Sequence, residues 1–336
     1  MTTTVTPPIR TTTARRLSGF KPTGRLQLGN YLGAIRPMVD AQHRTDSVVM
    51  IADLHALTVE HDPQRLRQLT AELLATLLAA GVDPDSALCY LQSDVPEHAE
   101  LHYLLECSTG YGEAARMIQF KEKSAGQRHV RLSLLTYPVL MAADILLHDA
   151  DEVPVGDDQD QHLELARDIA NRFNTRHGHT FVVPRAVHER LAARVMDFAD
   201  PTTKMGKTST SDSGVIYLLD PPDAIARKVT RAVTDAGTEV VYDPDRRPGL
   251  ANLLEILAAC TGGQPGGLAA GLASYRELKQ ATAEAVVEAL RPVRHRYAEL
   301  VAAPEHLDEV RRQGAARARE RAAATVRRAK EAIGLR

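Results

Sequence analysis

The feature that most constrains the fold is an alternation of short apolar runs with helical patterns, which begins near Leu17. Four of these runs predict buried strands: 48–53, 87–92, 152–155 and 181–184. Helical patterns lie between them, including one that Asp62-Pro63 opens and Gly81 ends, and one that extends from about Asp158 to Phe173. This alternation predicts an α/β fold with a parallel sheet and helices on both faces.

After about residue 212 the strand signal disappears. The remaining chain predicts helices at 222–233, 250–260, 276–300 and 305–333. Residues 201–214 are rich in Thr, Ser and Gly, a composition typical of a mobile loop. We therefore expect four parts: a disordered N-terminal extension at 1–14, an α/β domain at 15–203, a mobile loop at 204–214 and a helical domain at 215–336.

The composition excludes several classes of protein. A chain of 336 residues with 44% apolar residues and a net charge of -2 is typical of a soluble globular protein. We find no apolar run near the ~20 residues of a membrane-spanning helix, and Thr-rich residues 1–13 lack the apolar core of a secretory signal. Cys89, Cys107 and Cys260 are far apart, which argues against disulfides and cysteine-based zinc sites and predicts a cytoplasmic location.

Charge is distributed unevenly along the chain. Residues 291–336 contain 12 basic and 6 acidic side chains, so the preceding part of the chain is acidic. A basic end on an acidic body suggests a polyanionic partner. A solvated amphipathic helix would explain the same pattern equally well.

A glycine-rich segment at 18–35, SGFKPTGRLQLGNYLGAI, leads into a helix that starts near Gly29. Such a helix start favours phosphate binding, because its free N–H groups and the helix dipole point the same way, although a plain glycine-rich turn has the same composition. The segment resembles the first signature of class I aminoacyl-tRNA synthetases, in the variant of the tryptophanyl-tRNA synthetases. Gln27-Leu28-Gly29-Asn30 stands at the family's His-Ile-Gly-His position. The resemblance implies that Gln27 and Asn30 contact ATP and that Gly29 lets the adenosine approach.

A second segment, KMGKT at 204–208, resembles the family's mobile Lys-Met-Ser-Lys-Ser loop, which closes on the ATP triphosphate. Lys204 and Lys207 are retained, Gly206 replaces a serine, and Thr208 keeps a hydroxyl. Two ammonium groups on a flexible loop can follow charge into the transition state. We expect Gly206 to alter turnover without abolishing activity.

A third pair of segments, 135–147 and 152–174, most closely resembles the tryptophan-specific enzymes. Asp144 has apolar neighbours on both sides, so its carboxylate needs a partner unless it lies on the helix surface. The resemblance implies that Asp144 accepts the indole N–H of tryptophan. His55 fits the same pocket, although a hydrogen-bonded core histidine is an equally good interpretation.

The resemblance assigns the other site residues by position. For tryptophan it implies Asp144, Tyr137, Met141, His55, Val153, Val155, Gln159, Gly19 and Lys21. For ATP it implies Lys21, Pro22, Thr23, Gly29, Asn30, Gly156, Asp157, Asp158, Val195, Lys204, Met205, Gly206, Lys207 and Thr208. The catalytic groups it implies are Lys204, Lys207, Lys123, Gln27 and Asn30.

The resemblance covers about residues 17–336 and implies a Rossmann-like catalytic domain followed by a helical domain that binds the tRNA anticodon. The implied activity is a tryptophan–tRNA ligase that forms tryptophanyl-adenylate from L-tryptophan and ATP and transfers it to tRNA(Trp). Mg²⁺ would arrive with ATP, without a dedicated metal site in the protein. A homodimer is expected, and no membrane partner.

Lys21 departs from the family pattern, which usually has glutamine there. A cation beside the substrate should change how the pocket receives the polar end of tryptophan, so we hypothesise an isozyme with reduced sensitivity to the tryptophan mimic indolmycin. Two alternatives remain: a tyrosyl-tRNA synthetase, which the segments around Asp144 argue against, and a non-catalytic paralogue that binds a partner. The retained lysines weigh against the paralogue.

Overall fold

The computed structural model describes residues 13–126, 128–156, 159–188, 195–206 and 212–335. At its centre is a parallel sheet of five strands: β1 (Arg15–Phe20), β2 (Asp46–Ile51), β3 (Ala87–Leu91), β4 (Glu152–Pro154) and β5 (Arg185–Val187). The strand order is β3-β2-β1-β4-β5, and every neighbouring pair is parallel. The predicted α/β fold with a Rossmann-like sheet is therefore confirmed.

The fifth strand does not lie where the sequence predicted it. The run 181–184 forms no strand, and β5 begins only after Pro184. Proline has no N–H to donate to a strand ladder, and the Asn174 side chain binds both the N–H and the C=O of Phe181, at 2.9 and 2.8 Å. Phe181 is buried against Phe173, with ring centroids 4.8 Å apart. The prediction was wrong because this apolar run packs as a loop against a helix.

Helices cover both faces of the sheet in the α/β part. They are α1 (Leu28–Asn30), a π-helical turn (Tyr31–Ile35), α2 (Arg36–Ala41), α3 (Pro63–Ala79), α4 (Glu97–Glu106), α5 (Tyr111–Ala115), α6 (Ile118–Ser124), α7 (Leu132–Leu147) and α8 (Asp160–His177), with 3₁₀ turns at Leu54–Thr58 and Gln92–Asp94. Asp62 caps α3 as expected, since its Oδ1 accepts from the Arg65 N–H at 2.6 Å. Gly81, with a φ of 111°, follows the end of that helix.

The C-terminal part is helical, as predicted. After a 3₁₀ turn (Asp212–Gly214) come α9 (Pro222–Thr230), α10 (Pro248–Thr261), α11 (Pro265–Ala270), α12 (Tyr275–Val301) and α13 (Pro304–Ala332). Leu253, Val286 and Leu290 share a buried core with Leu28 and Leu32 of the first helical segment. This packing holds the helical part against the start of α1.

The last helix, α13, returns to the sheet. Ala318, Ala322 and Ala329 are buried in the same core as Tyr90 of β3. Gly314 lies so close to β3 that a Cβ on it would stand 1.9 Å from the Cys89 carbonyl oxygen. The division at residue 215 stays a prediction, and it has to accommodate a C-terminal helix that packs on the α/β core.

Basic side chains of α13 are paired with carboxylates of the α/β part. The ion pairs are Arg311–Asp94 (2.6 Å), Arg321–Asp46 (3.0 Å), Arg328–Asp149 (2.7 Å) and Lys330–Glu100 (2.8 Å). The acidic body and the basic end therefore partly neutralise each other within the fold. Among the residues that the structure describes, no helix is both long enough and apolar enough to cross a membrane.

Candidate active site

The predicted site lies at the edge of the sheet where parallel strands end. Gly19 of β1 stands opposite Met50 of β2, and Lys21 directly follows β1. His55 lies in the 3₁₀ turn after β2, and Gln92 follows β3. The carboxyl ends of parallel strands share one edge, where ligands bind in open α/β sheets. The topology therefore collects these polar side chains at one place.

Asp144 lies at the centre of this edge and is 1% exposed. Helix α7 carries it to Gln92 Nε2 and His98 Nδ1, which both lie 2.7 Å from its Oδ1. His55 Nε2 lies 2.7 Å from Oδ2. Burial alone would raise the pKa of Asp144, but the hydrogen bonds from His55 and His98 outweigh it and hold the pKa well below its usual range. The alternative of a helix-surface charge is therefore wrong.

Behind Asp144, the polar contacts continue into the core. The Tyr90 hydroxyl lies 2.9 Å from His98 Nε2 and 2.7 Å from His148 Nε2. All three side chains are 0–1% exposed. Burial raises the pKa of Tyr90 and lowers that of His148, so both groups stay neutral near pH 7. Sequence reasoning missed Gln92, His98, Tyr90 and His148, although the need of Asp144 for a partner was a signal that such groups exist.

Tyr137 of α7 connects this cluster with α6 and α8. Its ring lies edge-on to His55, with centroids 6.3 Å apart. Its hydroxyl lies 3.1 Å from Gln119 Oε1 and 2.9 Å from His162 Nε2, and burial raises its pKa to about 12. Lys123 Nζ stands 5.4 Å from the Tyr137 ring centroid. The structure thus places Lys123 next to Tyr137, one of the residues predicted to bind tryptophan.

Lys21 also reaches this cluster. Its Nζ lies 3.2 Å from Thr58 Oγ1, which in turn donates to the His55 carbonyl at 2.8 Å. Pro22 beside it is buried, and Thr23 is exposed, with its N–H donating to the Lys21 carbonyl at 2.9 Å. The cation is therefore linked through one hydroxyl to the backbone of the residue that contacts Asp144.

The predicted nucleotide half is built around the start of α1. Gln27 is 5% exposed, its Oε1 accepts from the Gly29 N–H at 2.5 Å, and its Nε2 donates to the Met205 carbonyl at 2.9 Å. Asn30 Oδ1 accepts from the Gln27 N–H at 3.2 Å. A Cβ on Gly29 would stand 3.4 Å from Val195 Cβ. Residues of the first signature therefore meet Val195 and Met205 of the KMGKT segment.

The KMGKT segment begins on a short paired stem. Lys204 is exposed and forms an antiparallel bridge with Met196, and Met205 is buried. Gly206 is half-buried. Lys207 and Thr208 lie outside the described residues. The start of the segment lies beside α1, because the Met205 carbonyl accepts from Gln27 Nε2.

The remaining predicted residues lie around the start of α8. Val153 is buried in β4, and Met141 and Val155 pack against the same core. Gln159 precedes α8, and its backbone N–H donates to the carbonyl oxygen of the exposed Gly156 at 2.8 Å. Asp157 and Asp158 lie outside the described residues.

Comparison with known proteins relates this chain to one family of synthetases. The family model for class I tRNA synthetases (W and Y) matches residues 10–291. The tryptophan–tRNA ligase 1 of Streptomyces coelicolor is 60% identical over 96% of this chain and 97% of its own length. The tryptophan–tRNA ligase of Leifsonia xyli is 48% identical over 96% of this chain and 98% of its own length.

Solved structures show the same fold. Tryptophanyl-tRNA synthetase from Mycoplasma pneumoniae superposes with a TM-score of 0.89 at 36% identity, covering 96% of this chain and 98% of the other. The Campylobacter jejuni enzyme, in complex with ADP and tryptophan, has a TM-score of 0.83 at 34% identity, covering 95% and 99%. A tyrosyl-tRNA synthetase from Aeropyrum pernix, at 21% identity and a TM-score of 0.68, shares the fold.

The fold and the family match define the class: the chain belongs to the class I tRNA synthetases. Its identity to curated enzymes over nearly its whole length then decides between the two specificities. Within that class it belongs with the bacterial tryptophan–tRNA ligases.

Proposed function

We propose that this chain joins L-tryptophan to tRNA(Trp) in two steps, with Asp144 as the group that recognises the indole N–H. The residue assignment rests on the buried carboxylate of Asp144, to which His55, Gln92 and His98 donate hydrogen bonds. The Tyr137 ring lies edge-on to His55. A site built to bind a polar hydrogen rejects analogues that lack it by roughly 10⁴–10⁵. Amino acids without this N–H would leave an acceptor position of the carboxylate unfilled, so no editing domain is needed.

In the first step, the tryptophan carboxylate attacks the α-phosphate of ATP, and pyrophosphate leaves. The nucleophile is already ionised, so positioning and charge stabilisation supply the catalysis. Lys123, Lys204 and Lys207 neutralise the β- and γ-phosphates, and Gln27 and Asn30 contact the nucleotide at the start of α1. In the second step, the 2′-hydroxyl of the terminal adenosine of tRNA attacks the adenylate carbonyl and AMP leaves.

ATP enters as its Mg²⁺ complex, and the ion belongs to the substrate. Among the described residues no three His, Cys, Asp or Glu side chains come together as ligands for a metal ion. In the proposed complex the ATP phosphates supply the ligands for Mg²⁺, a cation that usually binds to substrate phosphates and water. The protein contributes ammonium groups and the helix start beside it.

The functional unit we propose is a homodimer in the cytoplasm. Several large apolar side chains lie exposed on the α4–α7 side of the molecule: Tyr103, Tyr111, Ile118 and Leu132. Helices α4, α5 and α6, which carry three of them, each contact α7, which carries the fourth, and exposed apolar surface on neighbouring helices marks protein–protein contact sites. A partner subunit that covers them would support the proposal.

The experiment that tests the function is aminoacylation of tRNA(Trp) with purified enzyme, run with tryptophan and with tyrosine. We expect charging with tryptophan and none above background with tyrosine. Adenylate formation without tRNA charging would instead favour the non-catalytic paralogue, and charging with tyrosine would support the other specificity.

A second proposal concerns inhibitor sensitivity and rests on Lys21. The contact of its ammonium group with Thr58 places a cation next to the His55 backbone, where the family has a neutral amide. We infer that the pocket receives the polar end of tryptophan mimics less well, so the wild-type enzyme tolerates indolmycin. Inhibition constants of wild type and Lys21→Gln test this: the variant should be inhibited more strongly, and equal constants would refute it.

A further inference from the structure

Asp144 ends a series of buried hydrogen bonds that runs from His148 through Tyr90 and His98, and each bond has a defined direction. Asp144 is ionised and can only accept, so His98 Nδ1 must carry a proton and donate to Oδ1. Gln92 donates to the same oxygen, and its amide cannot be flipped, because its Oε1 accepts from the Leu54 N–H at 3.1 Å. His55 donates to Oδ2 from its Nε2.

The direction continues from His98 to Tyr90 and His148. His148 Nδ1 is buried and has no hydrogen-bond partner among the described residues. An orphaned buried N–H is rarer than an orphaned acceptor, and burial of His148 lowers its pKa, so Nδ1 is bare and Nε2 carries the proton. His148 Nε2 therefore donates to the Tyr90 oxygen, the Tyr90 hydroxyl donates to His98 Nε2, and His98 is neutral.

The carboxylate of Asp144 has few acceptor positions left for a substrate. A carboxylate offers about four lone-pair positions, two on each oxygen. Gln92 and His98 use both positions on Oδ1, and His55 uses one on Oδ2. One position is left, on Oδ2, the oxygen that faces His55. The His55 side chain is 12% exposed and that of Asp144 is 2% exposed, so Oδ2 lies on the more accessible side of the carboxylate.

We propose that His98, oriented by the one-way series His148–Tyr90–His98, is a positioning residue that leaves Asp144 a single acceptor position for the substrate N–H. The inference rests on the proposed role of Asp144. It assigns specificity to residues that do not touch the substrate: Tyr90 and His148 fix the tautomer of His98, and His98 fixes the rotation and the acceptor state of the carboxylate. Hydrogen bonds to a charged group are stronger than neutral ones, so the loss of this support is measurable.

The experiment measures kcat and KM in ATP–pyrophosphate exchange with tryptophan and with an analogue in which sulfur replaces the indole nitrogen. The variants are Tyr90→Phe, His98→Leu and His98→Asn, of which the last keeps a donor near the Nδ1 position. Leu88→Ala is the control, since Leu88 lies in β3 and in the same core as Tyr90. We expect Tyr90→Phe and His98→Leu to lower kcat/KM for tryptophan about ten- to hundredfold, mainly through KM, and to leave the analogue nearly unchanged. His98→Asn should recover part of the loss.

If the residues had a purely structural role, kcat/KM would fall equally for tryptophan and for the analogue, as we expect for Leu88→Ala. That result for Tyr90→Phe and His98→Leu would overturn the proposal. Asp144→Ala distinguishes the role of Asp144 from the positioning role of His98. If it leaves the preference for tryptophan over the analogue intact, the assignment of Asp144 itself fails. If it removes the preference while Tyr90→Phe and His98→Leu keep it, only the positioning role fails.

Nitrogen-15 spectra of labelled histidine in the wild-type enzyme give an independent readout. Near pH 7 the account requires a neutral His98 with its proton on Nδ1 and a neutral His148 with its proton on Nε2. A charged His98, or a His148 protonated on Nδ1, would contradict the direction of the series.

Discussion

At the residue scale, the molecule depends on a few buried polar side chains. Asp144 is surrounded by His55, His98 and Gln92, so a substitution there acts twice. It removes the proposed acceptor for the substrate N–H, and it leaves three donors without their partner.

Asp144→Ala should therefore lower both activity and stability. Losing a hydrogen bond to a charged group costs about 1.5–3 kcal/mol, and each buried unpaired donor adds about 1–3 kcal/mol to the loss of stability. We expect kcat/KM for tryptophan to fall at least about tenfold in pyrophosphate exchange, and the free energy of unfolding in urea to fall as well. Activity loss at unchanged stability would contradict the hydrogen bonds described here.

Lys123 and Lys121 form a matched pair on α6 because both are exposed, yet only Lys123 stands against Tyr137. Lys123→Ala should lower kcat of pyrophosphate exchange by about 10²–10³, the usual effect of removing one group that stabilises developing charge. Lys121→Ala should leave kcat near wild type. Equal effects of the two substitutions would remove Lys123 from the catalytic groups.

The stability of the fold should depend on pH through His148. Burial depresses the pKa of His148 well below its ordinary value, so below about pH 6.5 the unfolded chain binds a proton that the folded one does not. The free energy of unfolding should then fall with decreasing pH, at up to about 1.4 kcal/mol per pH unit for this group. His148→Gln, which keeps an N–H donor, should flatten the urea-unfolding profile between pH 7 and 5; an unchanged slope would contradict the assignment.

At the scale of elements, the sequence predicted most of the fold. Strands β2, β3 and β4 coincide closely with apolar runs, and helices α3, α9, α10, α12 and α13 follow their predicted patterns. The strand prediction for 181–184 was wrong because the Asn174 side chain binds the Phe181 backbone and Pro184 has no N–H to donate. These two features outweigh the apolar character of the run. The hydrogen-bond partners of Asp144 could not be predicted from the sequence, since they lie 46–89 positions away along the chain.

The contact between α13 and β3 is another tertiary feature that the helical pattern of the sequence does not contain. Gly314 permits it, because a Cβ there would overlap the Cys89 carbonyl. Gly314→Ala should cost about 1–3 kcal/mol of unfolding free energy, as overpacking does. Gly267→Ala on α11 is the control, since its Cβ would meet nothing within 4 Å; it should not destabilise. Equal unfolding energies for the two variants would contradict the close approach.

At the scale of the whole molecule, the uneven charge has an internal explanation. Arg321 and Arg328 of α13 are paired with Asp46 and Asp149 of the α/β part. The basic excess near the C-terminus is therefore only partly available to a polyanionic partner, and charge counts along the sequence overstate it.

Arg321→Ala should accordingly affect folding rather than tRNA. Partly exposed ion pairs contribute about 0–1 kcal/mol, so the free energy of unfolding should fall by at most that amount. The salt dependence of tRNA binding should keep its slope, because a side chain that already neutralises a carboxylate releases no counterions from tRNA. A slope reduced by about one unit would show that Arg321 contacts a phosphate.

In our proposal, a single free acceptor position on Asp144 selects tryptophan. A crystal structure with tryptophan bound tests it most directly. We predict the indole nitrogen at about 3 Å from Asp144 Oδ2, with Gln92 and His98 still on Oδ1. An indole nitrogen that bonds to another group, with both Asp144 oxygens beyond hydrogen-bond distance, would contradict the account.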